Sequence, residues 1–467
     1  MEFPVSLYRT MKNTLLILFL IALAVRVVGL FVFHDLYFDS GRMGEQYTIA
    51  SNIADGIGFK SGGELDWKSP KDPDSQAYKN LLNMKEKRIN VDYFQREAIL
   101  NKTNSDYTFP LLTDVPGYAI VLGIFWKIFP KSFLPLQIIQ IIFDSFMAVL
   151  VFLIAELIFM RSSIAYLSSV LYILFVPFIL LSSVASRDVF ELWGMITATY
   201  FSLKIFHSER SLVWVVLSGV SIAFFCWFRP FIIFLPGVYF VYLLLQKKTL
   251  FVSFANSVSM FLIVVVFFGA PFSILYQKST GHYDYWSNTG EGFWEGLGEY
   301  PNSYGFENSD DAGQKRLHEL GYDGPRWVKE SSDLLMDDAM QVVKAHPEYY
   351  AKVLLKRLVS MMLLDAATSE SFTAKAFIHV CFTAIVIVMF LLVMLALIFY
   401  RKEFRQISIL LLLYLYKIAI HLPTHYEQRY MFAAYFAILI LDAAALVWLY
   451  DKVFRKPGDI ILKGVVV

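Results

Sequence analysis

The chain has 467 residues, of which 57% are hydrophobic, 17% aromatic and only 17% charged, with a formal net charge of +1. Soluble domains carry about a quarter charged residues, so this composition excludes an ordinary water-soluble protein and implies an integral membrane one. The near-neutral charge selects no partner by itself and no nucleic acid is expected; Cys226 and Cys381 both lie in apolar runs, where they build neither a disulfide framework nor a metal cluster.

Arg9 and Lys12 precede an apolar run that ends at Phe33. It is long enough to span a bilayer and lacks a small-residue cleavage site, so it reads as an uncleaved first helix. Arg26, in its outer half, is too costly for a bland lipid-facing position. Further apolar windows run over 134–159, 163–184, 188–206, 211–228, 230–246, 250–276, 375–399, 406–421 and 429–450, predicting about ten spans in all. The run 116–130 is too short to span comfortably; counting it would make eleven and break the charge alternation.

With the N-terminus inside, the short inner connections hold Arg161, Lys204 to Arg210, Lys247 and Lys248, Arg401 to Arg405, and Lys452 to Lys463. All are basic, as cytoplasmic loops should be. Both termini are therefore expected in the cytoplasm. The segments 34–133 and 277–374 then face outward; connections that long are usually functional. Amphipathic stretches at 43–54, 116–129 and 334–364 suit interfacial helices. The expected fold is an all-α polytopic bundle whose outer face catalyses or binds. Residues 1–276 form its N-terminal transmembrane module with the first outer loop, 277–374 a second outer loop, and 375–467 the C-terminal spans and tail.

Several polar residues fall on that outer face. Glu45 opens a helical pattern of Met43, Tyr47, Ala50 and Ala54 that Gly56 and Gly58 close. A first-turn acid is favoured by the helix dipole alone, and Asp39 equally suits a cap. Asp188 and Glu191 sit at an outer helix start with capping-box spacing, which accounts for them as well as catalysis does. Arg229 lies at a hairpin tip before Pro230, Arg429 opens the last span, and Lys417 is about a turn inside the one before. Converging cations suit a phosphate or diphosphate headgroup. His421 and His425 are four apart with Glu427 nearby, but Leu-Pro-Thr between them breaks the helical register a metal pair needs. Gln137, Gln140, Asp144 and Glu156 form one rough helical stripe, which interhelical hydrogen bonding explains.

Taken in order, these features resemble the GT-C superfamily of integral-membrane glycosyltransferases, in the branch of the protein O-mannosyltransferases and aminoarabinose transferases. The likeness rests on Arg26, on Glu45 followed by Ala50, Ala54, Gly56, Gly58 and Phe59, and on Pro116-Gly-Tyr118. It continues through Pro177 to Asp188, Gly219 to Arg229-Pro230, Asn288-Thr-Gly290 with Trp294-Glu-Gly296, Ala339 to Tyr350, and Arg429-Tyr430. The resemblance implies a sugar donor on a polyprenyl phosphate, used at the outer face of a bacterial cytoplasmic membrane. It implies a catalytic base in the first outer loop, carried over to Glu45, and a second acid at Asp188. Better-known relatives have Asp in that loop, so Asp39 competes with Glu45.

The chemistry needs a base for an acceptor hydroxyl and cations for the departing lipid phosphate. Arg229, Arg429, Lys417 and Tyr430 are the candidates for the phosphate, and attack opposite to it inverts the anomeric centre. Lipid, glycan and protein acceptors all fit. No cofactor is required, although two carboxylates are compatible with a divalent cation. A flippase for lipid-linked sugars is the alternative; it would rest on intramembrane Asp144, Glu156 or Asp442.

Overall fold

The computed structural model describes residues 5–33, 46, 49–51, 53–56, 115–129, 132–207, 211–246, 249–280, 289–322, 329–363 and 374–454. Its regular structure is helical throughout. The chain enters on α1 (Val5–Phe33) and continues through α2 (Gly117–Ile128), α3 (Leu134–Phe159), α4 (Ser162–Leu174), α5 (Val176–Ser183) and α6 (Asp188–His207). After α7 (Ser211–Cys226) comes a tight turn, Pro230–Phe234, then α8 (Leu235–Leu245), α9 (Leu250–Val264) and α10 (Ala270–Thr280). Four more polar helices follow: α11 (Thr289–Leu297), α12 (Asp310–Glu319), α13 (Lys329–Ala345) and α14 (Pro347–Leu363). The last three, α15 (Ala374–Phe399), α16 (Phe404–His421) and α17 (Gln428–Phe454), are apolar again.

The count of ten or eleven spans is corrected. Among the described residues five helical stretches are long and apolar enough to cross a membrane: Lys12–Phe33, Leu134–Phe159, Leu250–Gln277, Arg401–His421 and Arg429–Phe454. A sixth exists only if α4 and α5, bent by 56° at their junction, are one span. The bend has a local cause: Phe175 is extended (ψ 107°) and Pro177 has no N–H to carry the α4 ladder forward. A 16-residue helix such as α7 rises about 24 Å, short of a bilayer core of about 30 Å. The expected span 230–246 is a tight turn plus an 11-residue helix. In α6, Asp188, Glu191 and Lys204 dilute the apolar character. The run 116–130 holds only the 12-residue α2. The protein remains a multi-pass integral membrane protein; windows of hydropathy located the apolar segments but not the breaks inside them.

One hydrophobic core runs through the bundle, and α17 is its axis: from Met431 to Leu441 nearly every apolar side chain is buried. A smaller separate core of Phe293, Trp294, Leu297, Phe306, Leu317, Leu335 and Ala339 holds α11 to α13 together as a polar cap. Inside the bundle Arg26 is fully buried. Its Nε donates to Asp144 Oδ2 at 2.6 Å, and one terminal nitrogen donates to the Ile173 carbonyl at 2.7 Å. Asp144 Oδ1 also accepts from Tyr172 Oη at 2.8 Å and Trp193 Nε1 at 3.0 Å, so α1, α3, α4 and α6 share one polar knot. Gln137 and Gln140 of the same stripe donate to the carbonyls of Ser183 and Val184, which is the interhelical bonding expected of them.

Basic residues gather at one end of the bundle. Arg161 pairs with Asp451, Gln246 reaches the Arg405 carbonyl, and the Phe159 and Tyr400 rings meet edge to face at 5.2 Å. Asp188, Arg229 and Arg429 lie at the opposite end.

Candidate active site

Asp188 is the first residue of α6, and Ser186 Oγ accepts its backbone N–H at 3.2 Å. Arg229 arrives from the other side of the bundle mouth. It follows the last turn of α7 in extended conformation (φ −144°, ψ 100°), which the ring of Pro230 enforces on the residue before it. Its guanidinium pairs with Asp188 Oδ1, both groups being buried. Arg429, one residue into α17, brings Nε to 3.7 Å from Asp188 Oδ2 and 2.5 Å from Glu427 Oε2. The two guanidiniums lie over one ring: Arg229 Cζ is 5.5 Å and Arg429 Cζ 5.8 Å from the centre of Tyr430. Attraction of cations to the negative ring face holds like charges together that would otherwise separate. Tyr430 is itself fixed, its hydroxyl donating to Glu427 Oε1 at 3.1 Å and its ring stacked on His421 at 4.7 Å.

Lys417 lies a layer beneath. It is fully buried, with Nζ 2.6 Å from Glu191 Oε1 and 3.1 Å from His421 Nε2. Glu191, one turn after Asp188 on α6, ties it to the layer above. Four residues expected at the site are thus brought together directly (Asp188, Arg229, Arg429, Tyr430), and Lys417 supports them from below. Glu45 and Asp39 lie outside the described residues. Their neighbour Gln46 is helical and buried; it donates to the Val115 carbonyl at 3.3 Å and accepts the Ala119 N–H at 3.2 Å. The helical residues 49–51 and 53–54 are followed by Gly56 in the left-handed conformation that favours glycine (φ 77°), while Gly58 lies outside the described residues.

That anchorage leads to Asp188. Gly117 donates its N–H to the Trp227 carbonyl at 2.8 Å, and a Cβ there would stand 2.3 Å from the same oxygen, so the start of α2 touches the Arg229 hairpin only as glycine. Tyr118 meets the Phe190 ring edge to face at 6.2 Å, and Phe190 stacks on Phe228 at 4.0 Å. Pro116-Gly-Tyr118 is thereby the joint between the Gln46 helix and the Asp188–Arg229 pair.

Sequence reasoning missed the contribution of the polar cap. Glu299, just after α11, accepts from Arg357 Nε at 2.7 Å and from the Tyr426 N–H at 2.6 Å, and its Oε1 is 3.0 Å from His425 Nδ1. His425 Nε2 is in turn 3.6 Å from Glu427 Oε1. Burial alone would lower the His425 pKa, but the two carboxylates outweigh it and raise it to about 9. Burial works against the Glu427 carboxylate too, yet His425 and Arg429 hold it well below the usual range. The chain of opposite charges therefore persists through neutral pH. One signal for it was readable: Arg357 stands between Val353 and Met361 on the apolar stripe of its helix, where a charge needs a partner. His421 and His425 face different partners, Lys417 and Glu299.

Residues 113–273, less than half of the chain, match the family model described as dolichyl-phosphate-mannose-protein mannosyltransferase. Over this stretch the chain is similar to a family of membrane glycosyltransferases. The matched stretch carries Asp188 and Arg229; Arg429 and Tyr430 lie beyond it. The match covers that stretch and does not single out the aminoarabinose-transferase branch. Two crystal structures of the oligosaccharyltransferase of Archaeoglobus fulgidus align at 14% identity. One, tethered with an acceptor peptide containing the NVT sequon via a disulfide bond, covers 95% of this chain at a TM-score of 0.47; the apo form covers 92% at 0.43. The chain spans about half the length of those proteins (50% and 51%). A search of the curated proteins finds no match.

Proposed function

We propose that the protein transfers a sugar from a polyprenyl-phosphate donor to an acceptor hydroxyl at the outer face of a bacterial cytoplasmic membrane. The observation that carries this reading is the convergence of Asp188, Arg229, Arg429 and Tyr430 at one mouth of the bundle. Two guanidiniums held over one ring are suited to a phosphate, because their planar forks match its oxygens. The segregation of Arg161, Arg405 and Lys452 at the other end supports an outward-facing mouth, since basic residues mark the cytoplasmic side.

In the proposed reaction Glu45 takes the proton of the acceptor hydroxyl as its oxygen attacks the anomeric carbon. The bond from that carbon to the phosphate oxygen breaks, and its electron pair leaves with the lipid phosphate. Arg229 and Arg429 stabilise the added charge, while Asp188 fixes both arginines. Attack from the side opposite the phosphate inverts the anomeric centre. Asp39 stands as the other candidate base, and the spacing of Glu45 to Ala50, Ala54, Gly56 and Gly58 favours Glu45.

Membranes holding the full chain, given a labelled polyprenyl-phosphate sugar and extracted envelope acceptors, test the reading. Glu45→Gln, present at the wild-type level, should lower transfer about 100-fold or more, the scale of a lost general base, and Asp188→Asn should lower it too by releasing both arginines. Full transfer in both variants would sink the assignment of the site.

A further inference from the structure

The turn between α16 and α17 is gripped from outside. Arg357 donates to the Leu422 carbonyl at 2.6 Å, Tyr350 to the Pro423 carbonyl at 3.0 Å, and Glu299 accepts the Tyr426 N–H at 2.6 Å. A Cβ at Gly296 would stand 1.7 Å from the Thr424 carbonyl oxygen, so α11 lies directly against the turn. Tyr426 completes the attachment through its hydroxyl to the Ser360 carbonyl at 3.2 Å. Every residue from Leu422 to Tyr426 is thus in contact with α14, with α11 or with Glu299, just beyond α11. The next residues, Glu427, Arg429 and Tyr430, are those that meet Asp188 and Arg229.

We infer that Glu299 is a positioning residue for the transfer reaction: through His425 and the Tyr426 N–H it holds Glu427, and through Glu427 it sets Arg429 where the donor phosphate binds. This rests on the proposed function. Glu299 touches no reacting atom; it acts only along this chain of alternating charge. The groups facing His425 are Glu299, just after α11, with Arg357 of α14 behind it; His421, with Lys417 behind it, from α16; and Glu427 and Tyr430 at the head of α17, with Arg429 behind Glu427. While His425 is charged, Glu427 is shared between it and Arg429. Once His425 loses its proton, Glu427 has Arg429 as its remaining cation and draws it away from the phosphate.

The sign follows: donor affinity is full below the His425 pKa of about 9 and falls as pH rises through it. Glu299→Gln removes the carboxylate nearest His425, so the same fall should begin at lower pH. The experiment measures transfer by the full chain in membranes from pH 6 to 10, with labelled polyprenyl-phosphate sugar. At pH 7.5 Glu299→Gln should lower kcat/KM for the donor about 10-fold, since Arg429 serves both the bound phosphate and the charge it gains on leaving. Its alkaline limb should lie at least about one pH unit below that of the wild type, and Glu299→Asp should recover most of both effects. Tyr350→Phe loosens the same turn without touching the charges and should leave the limb where it is. His425→Gln should abolish the limb, which serves if Glu299→Gln does not fold.

A Glu299→Gln profile superimposable on that of Tyr350→Phe would overturn the inference. So would an unchanged limb in His425→Gln. Absence of transfer by the wild type would instead refute the proposed reaction. The positioning is then read from the rise in melting temperature that polyprenyl phosphate gives the full chain in detergent. A smaller rise in Glu299→Gln than in the wild type supports it; equal rises, or none in the wild type, overturn it.

Discussion

Arg26 and Asp144 illustrate what single residues reveal in a membrane sequence. A charge within an apolar run demands a partner, and the demand is visible before the partner is. Here the partner sits on another helix, 118 positions along the chain. Breaking a buried pair from one side leaves an uncompensated charge, a loss of about 3–5 kcal/mol. Arg26→Leu should therefore lower the melting temperature of the detergent-solubilised chain sharply, and Arg26→Leu with Asp144→Leu should recover at least about half of the loss. The double variant should also retain sugar transfer. Loss of function in a well-folded double variant would point instead to the flippase reading, which places its work on intramembrane acids. The site arginines were legible by the same logic, because each was a cation beside aromatics at a helix end. Glu299 was not. An acid in a polar loop carries no mark of its importance, and only the folded chain brings it within reach of His425.

Among the elements, α2 teaches most about the limits of hydropathy. Its apolar run looks like half a span, yet its 12 residues serve as a joint between the Gln46 helix and the Arg229 hairpin. Hydropathy measures greasiness, and a buried interfacial helix is as greasy as a lipid-facing one. The same blindness produced the excess spans, since the break at Phe175 and the tight turn after Arg229 occur inside apolar sequence. The prolines at 177 and 230 were the available warnings. Gly117 gives the joint a sharp test. Gly117→Ala puts a methyl against the Trp227 carbonyl, a backbone atom with little room to retreat. The expected cost is about 1–3 kcal/mol of overpacking, together with a fall in transfer larger than that of Gly237→Ala, where a Cβ meets nothing within 4 Å. Equal activities for the two variants would remove α2 from any part in shaping the site.

For the molecule as a whole, the two ends of the bundle differ in kind. One carries basic connections; the other carries the paired carboxylates and arginines beneath the polar cap. The proposed orientation rests on this asymmetry rather than on counting spans, so the corrected count does not remove its support. Ser303→Cys on the cap and Lys402→Cys at the basic end, each in a Cys381→Ala background, should separate cleanly in intact cells; the remaining native thiol, Cys226, is buried. A membrane-impermeant maleimide should label position 303 only, and labelling of position 402 alone would invert the proposed topology.

The grip on the turn between α16 and α17 has a further consequence for how such a protein can change. Three of its contacts, from Arg357, Tyr350 and Gly296, are made to the carbonyls of Leu422, Pro423 and Thr424, and a fourth to the Tyr426 N–H. Main-chain atoms are the same for every residue type save proline's missing N–H. The loop is consequently held in shape with little regard to which side chain stands on Thr424. Thr424 is open to drift, whereas Leu422 also packs against the main core, and a transplanted helix pair lacking Arg357 and Glu299 would lose two of the four contacts however faithfully the turn itself were kept.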